Sequence, residues 1–266
     1  MPVAPKKFNN FVPNYFYEFM ESPLFSIITI TYNAGEVLLP TLESVRRQAF
    51  RNFEHIIIDG ASRDNTVSIA RKEGVEGIKI FSEPDRGLYD AMNKGIARAT
   101  GRYLIFLNAG DSFADSNALC RLAEATKDNP DIIYGQTQLV DAERTIVGMR
   151  HLTAPTKLSV DSFKHGMLVC HQAFVARRDM VPLYDLSYRF SADYDWCIRC
   201  LKLSKLNAYV GDAPLISYLT DGLTDRNHST SLRERYHIMC HYYGTIPTLL
   251  RHIGFALRHA KRKFFG

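Results

Sequence analysis

The chain has 266 residues, of which 46% are hydrophobic and 23% are charged, and its formal net charge is +5. A chain of this length and apolar content can bury a sizeable core, which excludes disorder for its body and suits one large α/β domain, with or without an appendage. The positive charge is compatible with a phosphate-bearing ligand, with nucleic acid or with an anionic membrane, and it does not choose among them.

Two further features of the composition predict where the protein resides. No run of about 18 apolar residues is present, and no apolar segment follows the lysines near the N-terminus, so we predict neither a membrane span nor a signal peptide. The five cysteines are odd in number and scattered, which favours reduced thiols over a disulfide framework. We therefore expect a cytoplasmic protein.

The first half of the chain alternates between two patterns. Residues 1–23 show no clear period and are predicted to form an irregular N-terminal arm. Four apolar, β-branched runs typical of buried strands follow at 24–31, 53–58, 77–81 and 103–107, with helical segments between them at 36–48, 64–73 and 87–99. This alternation predicts an α/β fold with a doubly wound, mainly parallel sheet flanked by helices.

The alternation is looser after residue 111. Strand-like patterns are predicted at 132–139, 146–151 and 212–219, together with a segment at 166–176 and a helix near 193–203. Because no repeat or low-complexity linker interrupts the chain, we expect residues 24–229 to form one domain and residues 230–266 to form a C-terminal amphipathic helical segment.

Ligands of doubly wound sheets bind beyond the carboxyl ends of the strands, and here those ends are polar. They read Tyr32-Asn33, Asp59-Gly60, Glu83-Pro84-Asp85 and Asn108-Ala109-Gly110-Asp111. Asp59 is placed to accept from a ribose hydroxyl or a base N–H, but no glycine-rich phosphate loop follows the first strand, which argues against a nicotinamide dehydrogenase. Asp111 fits a ligand of a divalent cation and an ordinary turn residue equally well.

The predicted helix at 87–99 has two distinct faces. One face is apolar and is expected to pack on the sheet; it comprises Leu88, Ala91, Met92, Gly95, Ile96 and Ala99. Asp90, Asn93 and Lys94 lie on the other face. This polar face is either a solvated surface or, given the polar segment that precedes it, part of a binding site.

A second acidic helix, predicted near 193–203, reads SADYDWCIRCL at its beginning. Helical geometry places Asp193 on the face of Trp196, Cys197 and Cys200, whereas Asp195 lies opposite with Arg199. Asp193 is then either a general base or an acidic residue that stabilises the helix N-terminus. The Trp-Cys-x-x-Cys sequence invites a redox interpretation, but neighbouring carboxylates raise a thiol pKa, so buried structural cysteines are the prediction.

The chain resembles the inverting glycosyltransferase family 2, which has the GT-A fold. The matching segments appear in the order of that family: SIITITYN at 26–33, IIIDGASRDNT at 56–66, SEPDRGLYDAMNKGIARATGRYLIFLNAGD at 82–111, HQAF at 171–174 and SADYDW at 191–196. The resemblance implies transfer of a sugar from a nucleotide-sugar donor, UDP- or GDP-linked with UDP favoured, to a hydroxyl of a glycan or lipid-linked acceptor. It also implies a nucleotide-binding half at 24–111 and an acceptor half at 112–229.

The resemblance assigns roles to individual residues. Donor binding falls to Thr31, Tyr32, Asn33, Asp59, Asp85, Asn93, Lys94 and Asn108. Asp111 would hold Mg²⁺ or Mn²⁺ at the diphosphate, and Asp193 would be the catalytic base. His171 and Gln172 are candidates for the acceptor side. Cell-surface polysaccharide biosynthesis is the implied setting.

Two departures from the family pattern bear on these roles. The usual Asp-x-Asp metal motif is Asn108-Ala109-Gly110 here, which leaves Asp111 as the sole carboxylate of the stretch and makes His228 a candidate second ligand. The Glu of the family's Glu-Asp pair is Ala192, so the base role rests on Asp193 alone. A catalytically impaired nucleotide-sugar-binding or scaffold relative is therefore the alternative.

The C-terminal residues combine an apolar stripe with basic residues. From Thr245 the stripe includes Ile246, Leu249, Leu250 and Ile253, and five basic residues occupy positions 251, 258 and 261–263. The pattern fits a helix lying on the inner face of the cytoplasmic membrane, and it fits a helix docked on the protein's own core equally well. Nucleic acid is not an expected partner, because aromatic and basic residues are not interleaved on paired strands.

Overall fold

The computed structural model describes residues 22–220 and 228–254, without the side chains of residues 228 and 229. The predicted arm at 1–23 therefore lies almost wholly outside the described residues, as do residues 255–266 of the C-terminal segment. The first half forms β1 (Phe25–Thr31), α1 (Leu38–Arg46), β2 (Phe53–Asp59), α2 (Thr66–Glu73), β3 (Lys79–Ser82), α3 (Leu88–Arg98) and β4 (Tyr103–Phe106). Every strand and helix predicted here is present, with ends that differ by a few residues.

The second half adds shorter elements. They are β5 (Ser112–Phe113), α4 (Ala118–Ala125), β6 (Ile132–Gly135), β7 (Thr137–Val140), β8 (Ile146–Met149), β9 (Phe174–Arg177), α5 (Ala192–Leu203), β10 (Asn207–Val210), β11 (Ile216–Leu219) and α6 (His228–Tyr243). Three short 3₁₀ helices lie at Val160–His165, His171–Ala173 and Arg178–Met180. A further helix begins at residue 245, after Gly244 turns the chain with a φ of +86°.

The central sheet has seven strands in the order β10-β6-β9-β4-β1-β2-β3, and β9 is antiparallel to both of its neighbours. The other pairs are parallel, which confirms the predicted α/β sheet. Every residue of β1 is buried, as expected for a strand covered on both faces. Full burial of one such isoleucine contributes roughly 1.5–3 kcal/mol.

One predicted strand, at 132–139, is in fact two strands in two different sheets. The chain bends at Gln136, whose side-chain amide bonds to Ala154 and Tyr209. The strand after the bend, β7, enters a second sheet with the order β5-β11-β7-β8. This small sheet lies beside the loop that follows β4, because the Asp111 carboxylate accepts from the backbone of Leu219 at the end of β11.

Helix α3 packs closely on the sheet, but its buried face differs from the expected one. Leu88 is 38% exposed, whereas Tyr89 is only 6% exposed and points inward. The closest approach is at Gly95, where an added Cβ would lie 2.5 Å from Cγ2 of Ile28 on β1. A glycine is therefore required for α3 to reach its position over the strands.

Candidate active site

Asp59, the last residue of β2, is buried at the carboxyl edge of the sheet. Among the described residues, its carboxylate bonds only to side chains and backbone that lie next to it. Its Oδ1 accepts from the hydroxyls of Thr31 (2.9 Å) and Ser62 (2.5 Å). Its Oδ2 accepts from the Ser62 backbone (2.9 Å) and the Ser82 hydroxyl (2.6 Å). Burial raises the pKa of Asp59, but these hydrogen bonds outweigh burial and lower it. Asp59 thus ties three strand ends together, and a nucleobase would have to displace one of its present partners.

The rim next to Asp59 is built from Tyr32, Asn33 and Asp85, which the sequence assigned to the donor. Tyr32 is 66% exposed. Asn33 adopts a φ of +48° and its Oδ1 accepts from the backbone of Arg63. An added Cβ at Gly60 would lie 2.5 Å from Oδ2 of Asp85 and 3.2 Å from the Tyr32 ring. The structure therefore brings Tyr32 and Asp85 together at Gly60, where a larger residue would not fit.

Asn93 and Lys94, which the resemblance assigned to the donor, both bond to neighbouring loops. The Asn93 amide donates to the Tyr184 carbonyl (3.0 Å) and accepts from the Tyr184 N–H (2.7 Å). Lys94 donates to the Pro84 carbonyl (2.7 Å) and pairs with Glu83 and Asp90, which also pair with Arg98 and Arg86. Three cations thus share two carboxylates, and the role of Asn93 and Lys94 at the donor stays a prediction.

The loop from Asn108 to Asp111 follows β4 at the same edge. Asp111 is 7% exposed, and its two carboxylate oxygens accept from the Leu219 backbone (2.8 Å) and from the Gln172 amide. Burial raises its pKa to about 6 although both bonds oppose the shift. The Oε1 of Gln172 accepts from the Asn108 backbone (2.8 Å). Asn108 Oδ1 is buried without a partner among the described residues, so an arriving hydroxyl or N–H donor would satisfy it.

These residues fit a divalent cation poorly. Mg²⁺ and Mn²⁺ prefer oxygen ligands supplied by one or two carboxylates, yet both oxygens of Asp111 are taken up by protein donors. No group of three His, Cys, Asp or Glu side chains within the described parts of the chain is arranged to hold a metal. The side chain of His228, the expected second ligand, lies outside the described atoms. Asp111 bonds to Gln172 and to the end of β11 in this structure, and its role as a metal ligand stays a prediction.

His171 and Gln172, the acceptor-side candidates, are interior residues that are 6% and 3% exposed. The Nε2 of His171 lies 2.5 Å from the Tyr184 hydroxyl. Burial lowers the pKa of His171 to about 4, although the charge of Asp193 acts in the opposite direction, so its imidazole is neutral near pH 7. The short 3₁₀ helix that contains this pair joins the Asp111 loop, through Gln172, to Tyr184, through His171.

Asp193 lies in the first turn of α5 and is half-buried. Its Oδ1 accepts from the Tyr89 hydroxyl (3.0 Å) and from the backbone of Tyr194 (2.9 Å). Its Oδ2 bonds to no residue in the described parts of the chain. The loop before α5 is fixed by Glu234 of α6, which accepts from the backbones of Arg189 and Phe190 at 2.9 Å each.

Asp195 corrects the expectation that Asp193 is the inward acid of this helix. Asp195 is only 5% exposed, and it accepts from Arg199 (2.6 Å) and from the Tyr242 hydroxyl (2.7 Å). The predicted pairing with Arg199 is present, but that side of α5 is covered by α6. Asp193 therefore lies on the more open side.

An aromatic stack forms the floor beneath Asp193. The Tyr89 and Tyr184 rings stack at 5.6 Å, and those of Tyr184 and Trp196 at 5.0 Å. Burial raises the pKa of Tyr89 well above its usual value, as does the charge of Asp193, so the phenol stays protonated and donates. Sequence analysis missed Tyr89 and Tyr184, because neither follows a recognisable motif and each lies far along the chain from its partners.

The sheet edge and the loops that follow its strands have the architecture of a GT-A nucleotide-sugar glycosyltransferase. Residues 26–181 match the sequence profile of "Glycosyl transferase family 2". The chain belongs to this family. Asp193 lies beyond the matched residues, so the match does not extend to the role of this side chain.

Similar proteins agree with this assignment. A "PGL/p-HBAD biosynthesis glycosyltransferase" of Mycobacterium tuberculosis is 35% identical over 189 residues, which cover 68% of this chain and 71% of the relative. The "Amylovoran biosynthesis glycosyltransferase AmsB" of Erwinia amylovora is 29% identical over 198 residues, covering 69% and 66%. The crystal structure of S. aureus TarS 1–349 in complex with UDP-GlcNAc superposes with a TM-score of 0.66 at 14% identity, over 91% of this chain and 76% of that one, which shows the shared fold.

Proposed function

We propose that this glycosyltransferase moves a hexosyl group from a nucleoside diphosphate sugar to an acceptor hydroxyl, with inversion, and that Asp193 is the catalytic base. The observation that carries the proposal is the free oxygen of Asp193. Asp59 and Asp111 have both carboxylate oxygens bonded to protein donors, whereas Oδ2 of Asp193 has no such partner in the described parts of the chain. A general base needs an available lone pair within reach of the proton that it removes.

The chemistry is a single displacement. The acceptor oxygen forms a bond to the anomeric carbon as the bond from that carbon to the diphosphate breaks. The acceptor proton passes to Asp193, and the nucleoside diphosphate leaves with the electron pair. Attack and departure take place on opposite faces of the sugar, so the anomeric configuration inverts.

Donor and acceptor are proposed as classes. We favour a uridine donor over a guanosine donor, in line with the UDP-GlcNAc complex of the structural relative. The curated relatives are named for PGL/p-HBAD and amylovoran biosynthesis, which supports a glycan or lipid-linked acceptor in cell-surface polysaccharide biosynthesis. A divalent cation is typical of the family, and Mg²⁺ or Mn²⁺ stays a prediction for this chain; the alternative of an impaired relative gains no support from these similarities.

Two measurements test this function. A thermal-shift screen of UDP, GDP and their sugar conjugates should raise the melting temperature for one base, because a ligand that binds only the folded state stabilises it. Asp193→Asn should keep that shift and lose transfer to any acceptor by at least about 100-fold. Failure of every nucleotide to bind, or near-normal turnover by Asp193→Asn, would contradict the proposal.

We also propose that the C-terminal helix contacts an anionic membrane from the cytoplasmic side. Its apolar stripe faces outward rather than onto the core, since Ile246 is 74% exposed and Leu250 is 64% exposed. Basic residues flank this stripe in the sequence, which is the arrangement of an interfacial helix. In the described residues, no helix combines the length and apolarity that a bilayer crossing demands.

The membrane proposal is tested with the full chain. Replacement of both Ile246 and Leu250 by Ser should reduce co-sedimentation with phosphatidylglycerol-containing vesicles several-fold, because each lost side chain removes roughly 1–2 kcal/mol of apolar burial. Leu232→Ser, on α6, is the control for loss of an exposed leucine. Equal sedimentation of all three proteins would show that the stripe does not bind lipid.

A further inference from the structure

The structure leaves the diphosphate of the proposed donor without an evident cation. A nucleoside diphosphate leaving group is an anion, so its departure requires positive charge at the phosphates. The Asn108–Asp111 loop offers one carboxylate, Asp111, whose oxygens each accept a hydrogen bond. Lys94 donates to the Pro84 carbonyl on another loop and shares Glu83 and Asp90 with Arg98 and Arg86. A side chain that contacts the Asn108–Asp111 loop itself is better placed to supply this charge.

Arg144 is such a group. It lies in the tight connection between β7 and β8, where it adopts a φ of +67°. Its side chain reaches from this connection to the loop that follows β4. Its Nη1 donates to the carbonyl of Gly110 at 2.5 Å. In the described parts of the chain this is its one hydrogen bond, and a guanidinium has five N–H donors.

The position of Arg144 is set by interactions on both sides of the loop. Gly110 is held by Thr41, whose hydroxyl accepts from the Gly110 backbone (3.0 Å) and donates to the Asp111 carbonyl (2.6 Å). The connection that carries Arg144 is closed by Asp141, which accepts from the Thr145 backbone (2.8 Å). The guanidinium thus contacts the backbone of Gly110, the last residue of the segment that replaces the Asp-x-Asp motif.

We propose that Arg144 supplies the cation of the diphosphate subsite in place of a bound metal ion, an inference that rests on the proposed function. Its unused N–H groups form charge-assisted hydrogen bonds to the phosphate oxygens, which a planar guanidinium recognises in pairs. The unpartnered Oδ1 of Asn108 accepts from the ribose next to the diphosphate. Arg144 acts on the leaving group alone, and proton removal stays with Asp193.

The test measures nucleotide affinity by calorimetry with the full chain, using UDP, GDP, uridine and guanosine, in EDTA and then in Mg²⁺ or Mn²⁺. We expect the affinity for the preferred diphosphate to differ by less than about threefold between EDTA and Mg²⁺ or Mn²⁺. Arg144→Gln should weaken its binding by about tenfold or more, in line with the loss of one charged hydrogen-bonding group. Binding of the matching nucleoside, which has no phosphate, should not change.

Two further variants and one control make the result specific. Arg144→Gly removes the side chain and suits the positive φ, so it should behave like Arg144→Gln without disturbing the turn. Arg144→Lys keeps a charge but not the paired donors, and should fall between wild type and Arg144→Gln. Arg46→Gln removes one half-exposed arginine of α1 and should bind like wild type.

The outcomes separate this inference from the proposed function. If no nucleotide binds under any condition, the proposed function fails. If a diphosphate binds but chelation abolishes its binding, or if Arg144→Gln binds it within threefold of wild type, then the function stands and the role of Arg144 is overturned.

Discussion

The Tyr89→Phe variant tests the hydrogen bond between the Tyr89 hydroxyl and Asp193. In Tyr89→Phe the ring keeps its place in the aromatic stack, but the 3.0 Å bond to the carboxylate is lost. A hydrogen bond to a charged group contributes about 1.5–3 kcal/mol. Exposure to solvent reduces this to about 1 kcal/mol here, because Asp193 is only half-buried. A loss of about 1 kcal/mol in positioning the carboxylate corresponds to about a fivefold fall in kcat/KM.

The assay is kcat/KM for glycosyl transfer. We expect it to fall by about fivefold in Tyr89→Phe, since the carboxylate itself remains. Asp193→Asn should lower kcat/KM by about 100-fold or more, because the base itself is lost.

Tyr194→Phe is a matched control on the neighbouring residue. Its hydroxyl is also buried, but it donates to the Phe163 carbonyl at 2.5 Å, away from Asp193. Both variants should lose about 1 kcal/mol of unfolding free energy, measured with urea. If the two variants have the same kcat/KM, Tyr89 does no more than pack, and the reasoning about its bond to Asp193 is refuted.

Three other predictions concern the fold. Burial lowers the pKa of His55 to about 3, so below pH 6.5 only the unfolded chain takes up this proton, and the free energy of unfolding falls as the pH falls. In urea titrations, His55→Gln should therefore lose roughly 2 kcal/mol less unfolding free energy than wild type between pH 6.5 and 5. Gly95→Ala should lower the unfolding free energy by about 1–3 kcal/mol because the new methyl meets Ile28, whereas Gly254→Ala, which meets nothing within 4 Å, should leave it unchanged or raise it; equal melting temperatures would contradict this. Cys197 and Cys200 are fully buried, and burial raises the pKa of both thiols. A thiol reagent at pH 8 should therefore modify only the partly exposed Cys120 and Cys240 in the folded protein. Rapid labelling of Cys197 or Cys200 would revive the redox interpretation.

Periodicity predicted the sheet because the strands are continuous apolar runs, and such runs are readable one segment at a time. It failed at 132–139, where the apolar pattern continues through Gln136 although the chain changes sheets there. The change depends on Ala154 and Tyr209, which pair with Gln136 only in the folded chain. A local pattern does not contain such partners.

The same limit explains why the sequence alone did not predict the hydrogen bonding of the site. Sequence position placed Asp59 and Asp111 at the sheet edge, and they do lie there. Whether a carboxylate is available to a ligand depends on the donors around it, and those of Asp111 come from Gln172 and Leu219, more than 60 residues away. Tyr89 reaches Asp193 across 104 residues for the same reason.

The three acids of the cleft differ in their hydrogen bonding. A buried carboxylate that is not bonded carries a desolvation penalty of several kcal/mol, so the fold surrounds Asp59 and Asp111 with donors. Asp193 avoids most of that penalty by staying half-buried, and it therefore keeps one oxygen available for chemistry. The leaving group also needs positive charge. Arg144 bonds to a carbonyl at the Asn108–Asp111 loop rather than to a carboxylate, and although the charge of Asp111 acts on it, its other N–H groups form no hydrogen bond in the described parts of the chain.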